Sequence, residues 1–293
     1  HKANFSDEYW DRVFTNFLSE HEKGRTPNPD ILCNREIKFK SFLDYAFEIG
    51  ADYIATGHYA KIINKDNRHY LSRAKDINKD QTYFLHEVSE KEFSKCLFPL
   101  ENLTKSEVRN IALKNDLVTA NKKDSVGICF VGEKNLKDFL SRFIEFKKGD
   151  IKDENDNIIG QHQGSILYTQ GQRQGLMIGG VKGKEELPWY VYKKDIPNNE
   201  IYVCQGGDNE LLMNKGLYVE DINFINDINY QYPINCSVQV RHQHTPVKCF
   251  IEKLSNETKV TFSEPIRAIA PGQSAVFYDS EICLGGGVIC KTF

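Results

Sequence analysis

Apolar residues recur at helical spacing from Trp10 through Val13, Phe14, Phe17 and Leu18, and Gly24 follows as a stop. Ser6 reads as the cap of this first helix, with Asp7 and Glu8 in its first turn. Pro27 and Pro29 bracket Asn28, and a residue before proline avoids the helical region, so Asp30 and Cys33 are expected on a stiff loop. A second helix follows with Ile37, Phe42, Leu43, Ala46 and Phe47 inward and Gly50 at its end, which puts Cys33 at or near its N-terminus. Tyr53 to Thr56 is a short buried-type strand broken at Gly57-His58, and Lys61 to Ala74 is a hairpin turning at Asp66-Asn67. Thr104-Lys105-Ser106-Glu107 is a capping box opening a helix that carries Val108, Ile111 and Ala112. After the Cys129 loop another helix is expected from Asn135 through Phe143. Helix and strand in alternation predict a parallel α/β sheet, whose ligands gather at the carboxyl ends of the strands.

The pattern changes after Gly149. Asp150 to Asn157 is polar, suited to a linker or exposed hairpin, and paired strands Trp189 to Lys193 and Glu200 to Gln205 flank Pro197-Asn198-Asn199. From about Leu217 only short alternating strands remain, such as Val238 to Gln243, Val247 to Leu254, Thr258 to Phe262 and Ala275 to Asp279, the signature of a small β-barrel or sandwich. The expected division is 1–148 for the α/β domain, 149–212 for a small central domain and 213–293 for a C-terminal barrel.

Composition narrows the function classes. Lys+Arg 38 against Asp+Glu 41 leaves a formal charge of -3, so any nucleic-acid surface has to be a local basic patch. No apolar run approaches a membrane span, and His1-Lys2-Ala3-Asn4-Phe5 is unlike a signal or transit peptide, which predicts a cytoplasmic chain with no membrane partner. A first residue other than methionine predicts a fragment or trimmed chain. Eight cysteines without dense regular spacing suit a reducing compartment. No Cys-x-x-Cys occurs, and only His242-Gln243-His244 sets two metal-type ligands on one strand face, so no tightly bound metal is expected.

Two cysteines stand apart. Cys33 and Cys129 lie beside turns and among charges, in Thr26 to Phe39 and in Lys122 to Phe130, where a thiol loses its proton readily and becomes a nucleophile. Cys96, Cys204, Cys236, Cys249, Cys283 and Cys290 are expected to be small buried hydrophobes.

At Thr26 to Phe39, Ala55 to Tyr59, Lys79 to Leu85, Asp124 to Gly132 and Tyr168 to Gly175 the sequence resembles the tRNA-specific 2-thiouridylases, in the right order through most of the chain. The resemblance implies a partial adenine-nucleotide alpha-hydrolase-like α/β domain, a small central domain and a C-terminal β-barrel. It also implies ATP-dependent replacement of the 2-oxygen of a wobble uridine in tRNA by sulfur, with magnesium accompanying ATP. Carried over by motif, Cys129 would hold the sulfur as a persulfide supplied by a sulfur-carrier protein or cysteine desulfurase relay. Cys33 would be the second thiol, releasing that sulfur and closing a disulfide with Cys129, and Asp30 the general acid or base. Asn28, Pro29 and Asp30 would line the pocket for the flipped base. Gly57 would approach the nucleotide, and His58, Lys79, Asp80, Gln81, Arg241, His242 and Gln273 would contact tRNA. For Lys79 and Arg241 the plain alternative is a solvated surface charge; for Asp80 it is a cap, and for His58 a satisfied strand-end histidine. The family's Ser-Gly-Gly-x-Asp-Ser phosphate loop has no counterpart in the sequence, and this polypeptide alone is therefore expected to bind ATP poorly. Two other classes compete: a tRNA-binding fragment without turnover, and a thiol-disulfide protein that uses Cys33 and Cys129 without RNA.

Overall fold

The computed structural model describes residues 2–122, 136–181, 183–220, 222–255 and 257–293. Ser6–Tyr9, Trp10–Phe14 and Thr15–Glu22 run on as one helix that buries Val13, Phe14 and Phe17, and Gly24 closes it at φ 73°. Its start is held by Asn4 rather than by a Ser6 cap: Asn4 Oδ1 accepts from Ser6 N at 3.1 Å and Ser6 Oγ at 2.6 Å. Trp10 lies outside the core with its ring 4.7 Å from that of Phe14.

The second helix begins four residues earlier than Cys33. Asn28 is its cap, extended at φ -115°, with its side chain accepting from Asp30 N at 3.1 Å. Pro29 takes the first helical position, where its missing N–H has no partner to lose. Pro29–Leu32, Cys33–Ser41 and Phe42–Glu48 then continue without a break, the middle stretch widened to i→i+5 hydrogen bonding. The expected loop for Asp30 and Cys33 is thus corrected: the prolines end the extended segment at Asn28, and both residues are helical. Ile37, Leu43 and Ala46 point inward as expected, whereas Phe42 and Phe47 face out.

Strand β1 (Ile54–Ala55) pairs in parallel with β4 (Cys96–Leu97), and this pair sits on a core that includes Phe39, Leu43, Ala46, Tyr83, Phe93 and Phe98. Between them lie β2 (Lys61–Lys65) and β3 (Arg68–Ser72), joined through Asp66 and Asn67 at φ 51° and 57°, the mirror-image two-residue turn that matches strand twist. The Thr104 capping box forms, with Thr104 N donating to Glu107 Oε2 at 2.6 Å, but the helix it opens, Lys105–Lys114, buries no residue. The helix expected through Phe143 is shorter in the described residues, Leu136–Leu140, and turns follow it.

Four strands form a separate sheet in the order β6-β5-β8-β7: β5 (Gly149–Lys152), β6 (Ile158–His162), β7 (Trp189–Asp195) and β8 (Glu200–Gln205). Asp150 to Asn157 is therefore half strand and half turn, the turn held by Asp153 Oδ1, which accepts from Asn155 N and Asn157 N, both at 2.9 Å. The barrel uses β9 (Met213–Val219), β11 (Ile234–Gln239), β12 (Val247–Lys253), β13 (Thr258–Arg267), β14 (Ser274–Asp279) and β15 (Ile282–Thr292), and β14–β15 pairing closes it; β10 (Asn223–Phe224) pairs with β15 outside the ring. The strand expected at Val238 to Gln243 lies earlier, because the chain turns at Arg241 to His244, where His244 N donates to Arg241 O at 3.0 Å. The β2–β3 hairpin joins this sheet where Ser72 meets Ile282. Among the described residues, no helix is long and apolar enough to cross a membrane.

Candidate functional site

The chain just before the helix start at Asn28 is where the central sheet and the barrel converge. Thr26 N donates to Pro271 O at 2.9 Å, Gln273 Nε2 donates to Thr26 O at 2.6 Å, and the Thr26 and Thr169 hydroxyls are 3.1 Å apart. Lys194, from β7, donates to Gly24 O and to Tyr168 O, the latter at 2.7 Å. Arg25 bridges Glu20 on the first helix and Glu220 next to the barrel at 3.1 and 2.7 Å. Gly272, at φ 91°, presses so closely that a Cβ there would stand 2.7 Å from Thr26 N. Residues 24–26, just ahead of the helix start, are thereby held from the central sheet and from the barrel at once. Burial pulls the Lys194 ammonium down to about 8, and a neutral amine would still carry the two N–H groups that its two carbonyls need.

Two cavities flank this junction. The larger, of about 590 Å³, lies among His21, Thr26, Lys137, Leu140, Tyr168, Thr169 and Gln172. The smaller, of about 200 Å³, has Asn28 and Pro27 on one wall and Arg25, Arg35, Glu87 and Glu220 around it. His21 is buried with Nδ1 2.9 Å from Phe17 O, and burial lowers its pKa, so it stands in the larger cavity as a neutral ring.

Cys33 is 5 % exposed and packs in an apolar cluster with Tyr9, Val13, Phe14, Phe17, Ile37 and Leu140. Cys33, the fifth helical residue, lies near the helix N-terminus as expected, but the first helix covers it, so the expectation that sets it apart from the buried cysteines is corrected. Leu140 belongs both to this cluster and to the wall of the larger cavity, so the cluster around the sulfur borders that cavity. Asp30 is half-buried on the same helix, one turn before Cys33. Cys129 lies outside the described residues, as does the rest of 123–135.

The remaining expected contacts fall elsewhere. Gly57 is exposed just after β1, and among the described residues a Cβ there would meet nothing within 4 Å. His58 is a satisfied strand-end histidine: Nδ1 is 2.8 Å from Thr56 Oγ1 and its ring packs on Phe39 and Phe98 at 5.7 and 6.3 Å. Burial first, then the Lys38 charge, bring its pKa to about 3.

Lys79, Asp80 and Gln81 form a turn against the barrel. Asp80 is 5 % exposed, and its carboxylate accepts from Ala74 N at 2.9 Å, Thr82 N at 3.2 Å, Thr82 Oγ1, and Arg73 Nη1 at 3.3 Å. That correction follows from the geometry: with its oxygens so engaged, the Asp80 side chain caps a turn rather than facing RNA. Gln81 Oε1 accepts from Tyr59 N at 2.9 Å, while Gln81 N donates to Tyr59 O. Lys79 is half-buried at the start of the turn. Facing it, His242 Nε2 is 3.1 Å from Asp80 O and its ring 4.4 Å from that of Phe84, Gln243 Nε2 donates to Asn78 O at 3.2 Å, and Arg241 Nη2 donates to Ala268 O at 2.9 Å. Gln273 belongs to the first junction, not to this one. The expected residues that the structure describes therefore fall in three places: Asn28, Pro29, Asp30, Cys33 and Gln273 at or next to the junction, Lys79, Asp80, Gln81, Arg241 and His242 on the turn pair, and Gly57 and His58 after β1.

Sequence reasoning missed Lys194, Thr26 and Arg25. Lys194 carried no signal, because strict alternation along β7 puts Lys193 inward, and an irregularity in the pairing between Val191 and Lys193 reverses it.

Family models match along the chain: a tRNA methyl transferase HUP domain over 1–133, a tRNA methyl transferase PRC-barrel domain over 137–205, and an aminomethyltransferase beta-barrel domain over 214–289. The parallel pair, the four-stranded sheet and the closed barrel thus make up a three-part HUP, PRC-barrel and β-barrel protein. The tRNA-specific 2-thiouridylase MnmA of Pseudomonas fluorescens is 53% identical over 289 residues, which are 99% of this chain and 77% of that protein. Those of Buchnera aphidicola subsp. Schizaphis graminum and Legionella pneumophila are 51% and 52% identical over 99% of this chain, covering 79% and 80% of their own lengths. The chain belongs to the tRNA-specific 2-thiouridylase family.

Proposed function

We propose that the chain catalyses sulfur-for-oxygen exchange at C2 of the wobble uridine of tRNA, using ATP and a cysteine persulfide. The observation that carries the reading is the convergence of the chain just before the Asn28 helix start with the central sheet and the barrel, in a chain about half identical to the named thiouridylases over nearly its full length. A uridine 2-carbonyl is a poor electrophile, and ATP supplies the activation that lets its oxygen leave with AMP. Among the described residues Ile178-Gly179-Gly180 follows a central-domain turn and Gly285 to Gly287 lie within β15, so neither is a phosphate cradle after a parallel strand. The triphosphate is accordingly assigned to no described residue, and magnesium with it.

The chain's own groups would act as follows. Asn28 and Pro29, which follow the segment that Gln273 holds at Thr26, would border the extruded base, and Asp30 would hold or deliver a proton at its edge. The sulfur atom would ride on Cys129, supplied by a carrier protein or desulfurase relay. Attack of the Cys33 thiolate on the Cys129 sulfur would free the terminal sulfur for C2 and leave a disulfide, which an external thiol then reduces. Because Cys33 is covered by the first helix, this step requires that helix or Leu140 to move. The turn pair bearing Lys79, Gln81, Arg241 and His242 would meet tRNA away from the reacting base. The division at 148/149 and 212/213 is proposed with this reading; the four-stranded sheet within 149–205 supports it, while Leu140 packs with the first helices.

The test, made on the full-length protein, is mass analysis of tRNA hydrolysates after incubation with ATP and a sulfide source. Thiouridine from the wild type and none from Cys129→Ser supports the reading; normal yield from that variant removes the persulfide role. The burial of Cys33 favours one rival, a tRNA-binding module without turnover, which retained binding with no thiouridine would identify.

A further inference from the structure

Strands β11 and β12 run antiparallel with Cys236 directly opposite Cys249, and the two sulfurs lie 3.6 Å apart without a bond between them. Facing residues in an antiparallel pair have Cα atoms about 4.5–5.5 Å apart, inside the span that a disulfide bridges without backbone movement. Side-chain rotation alone can therefore bring the sulfurs to the bonding distance of about 2.05 Å. Cys249 is buried and Cys236 half-buried, so the pair is reachable from one side. We propose that Cys236 and Cys249 are a redox-modification site, forming a reversible cross-strand disulfide in response to peroxides.

The chemistry closes without any group of the proposed thiolation site. Peroxide oxidises the more accessible Cys236 thiolate to a sulfenic acid, and the peroxide oxygen that does not join sulfur leaves as water. Cys249 sulfur then attacks the sulfenic sulfur, the S–S bond forms, and a second water leaves with the hydroxyl. The two thiols lose two electrons and two protons, and the peroxide gains both. A small thiol reverses the bond by exchange.

What the bond would act on is visible in the register. Cys236 and Cys249 are the two legs of the hairpin whose turn carries Arg241, His242 and Gln243, and that turn bonds Ala268 O, Asp80 O and Asn78 O. Closing the legs restricts the unfolded hairpin and fixes the turn against the first domain.

The test uses the full chain, reduced, exposed to hydrogen peroxide, alkylated and digested without reductant. A linked peptide pair containing Cys236 and Cys249, lost on treatment with a small thiol, is the expected result, together with a thermal midpoint raised by roughly 5 °C in the oxidised protein. Neither change should occur in Cys236→Ser, with Cys236→Ala as the second variant should serine disturb folding. The linked peptide is read on the wild type and needs neither variant. Full alkylation of both cysteines after peroxide, a sulfinic acid at Cys236 without linkage, or linkage of Cys236 to another cysteine overturns the proposal. An oxidised, linked protein with an unchanged midpoint overturns the stapling of the hairpin.

Discussion

Replacing Asp80 by alanine separates a turn-capping role from RNA contact. The substitution leaves two buried backbone donors, Ala74 N and Thr82 N, without their acceptor, at about 1–3 kcal/mol each. It also strips Arg73, whose side chain is 10% exposed, of its carboxylate, although Gln239 Oε1 at 2.9 Å and the Tyr278 ring at 3.9 Å remain. Breaking a buried pair costs about 3–5 kcal/mol, and since that figure overlaps the lost backbone bonds, the expected destabilisation is about 4 kcal/mol. In urea this lowers the midpoint by roughly 1–2 M at an unchanged slope. Burial raises the Asp80 carboxyl above the ordinary aspartate value, against the bonds from Thr82, Ala74 and Arg73. A raised folded pKa means that the native state binds the extra proton between the unfolded and folded values, so this residue's share of stability falls as pH rises across that window. Asp80→Asn should remove that slope. A wild-type urea midpoint for Asp80→Ala, combined with tRNA binding at least about tenfold weaker, corresponding to about 1.4 kcal/mol, would refute the reasoning and restore an RNA contact.

Gly272→Ala forces a side chain against Thr26 N at a positive φ; we expect about 1–2 kcal/mol of lost stability and a larger drop in thiolation than in tRNA affinity, read by unfolding and hydrolysate analysis side by side. Lys194→Met keeps the stem but leaves Gly24 O and Tyr168 O without their donor, costing about 1–3 kcal/mol. Because burial lowers the Lys194 pKa to about 8, the charged form is penalised below that pH, and wild-type stability should gain on the methionine variant between about pH 8 and the ordinary lysine value; a gap that is flat with pH would count against the burial. Asp30→Asn should lower turnover far more than tRNA affinity, and equal losses would make Asp30 a binding residue.

Local chemistry was legible in the sequence wherever neighbours a few positions apart decide the outcome. Asp66-Asn67 turned as read because both residues tolerate positive φ, and Thr104 and Glu107 capped each other because three residues separate them. The same locality misled at Pro27-Asn28-Pro29. Two prolines read as a loop, yet asparagine before proline is also a cap before the one helical position that needs no N–H, and the cap won. The family segments were legible as well, but not their grouping. Whether Gln273 reaches Thr26, or His242 reaches Asp80, depends on how the barrel docks on the first domain, which no run of neighbouring residues encodes.

Cysteine shows the limit most sharply. Ranked by neighbouring charges, Cys33 stood out and Cys236 and Cys249 did not. Burial then pushes Cys96 and Cys283 up to about 12 and Cys204 to about 11, consistent with inert packing, but it covers Cys33 too. A thiol's chemistry depends on what can reach it and on which second sulfur stands opposite, and both are set by register and docking. For Cys33 that means its proposed role must include a motion that uncovers it. The pair in the barrel needs none, since strand pairing has already placed the two sulfurs in contact.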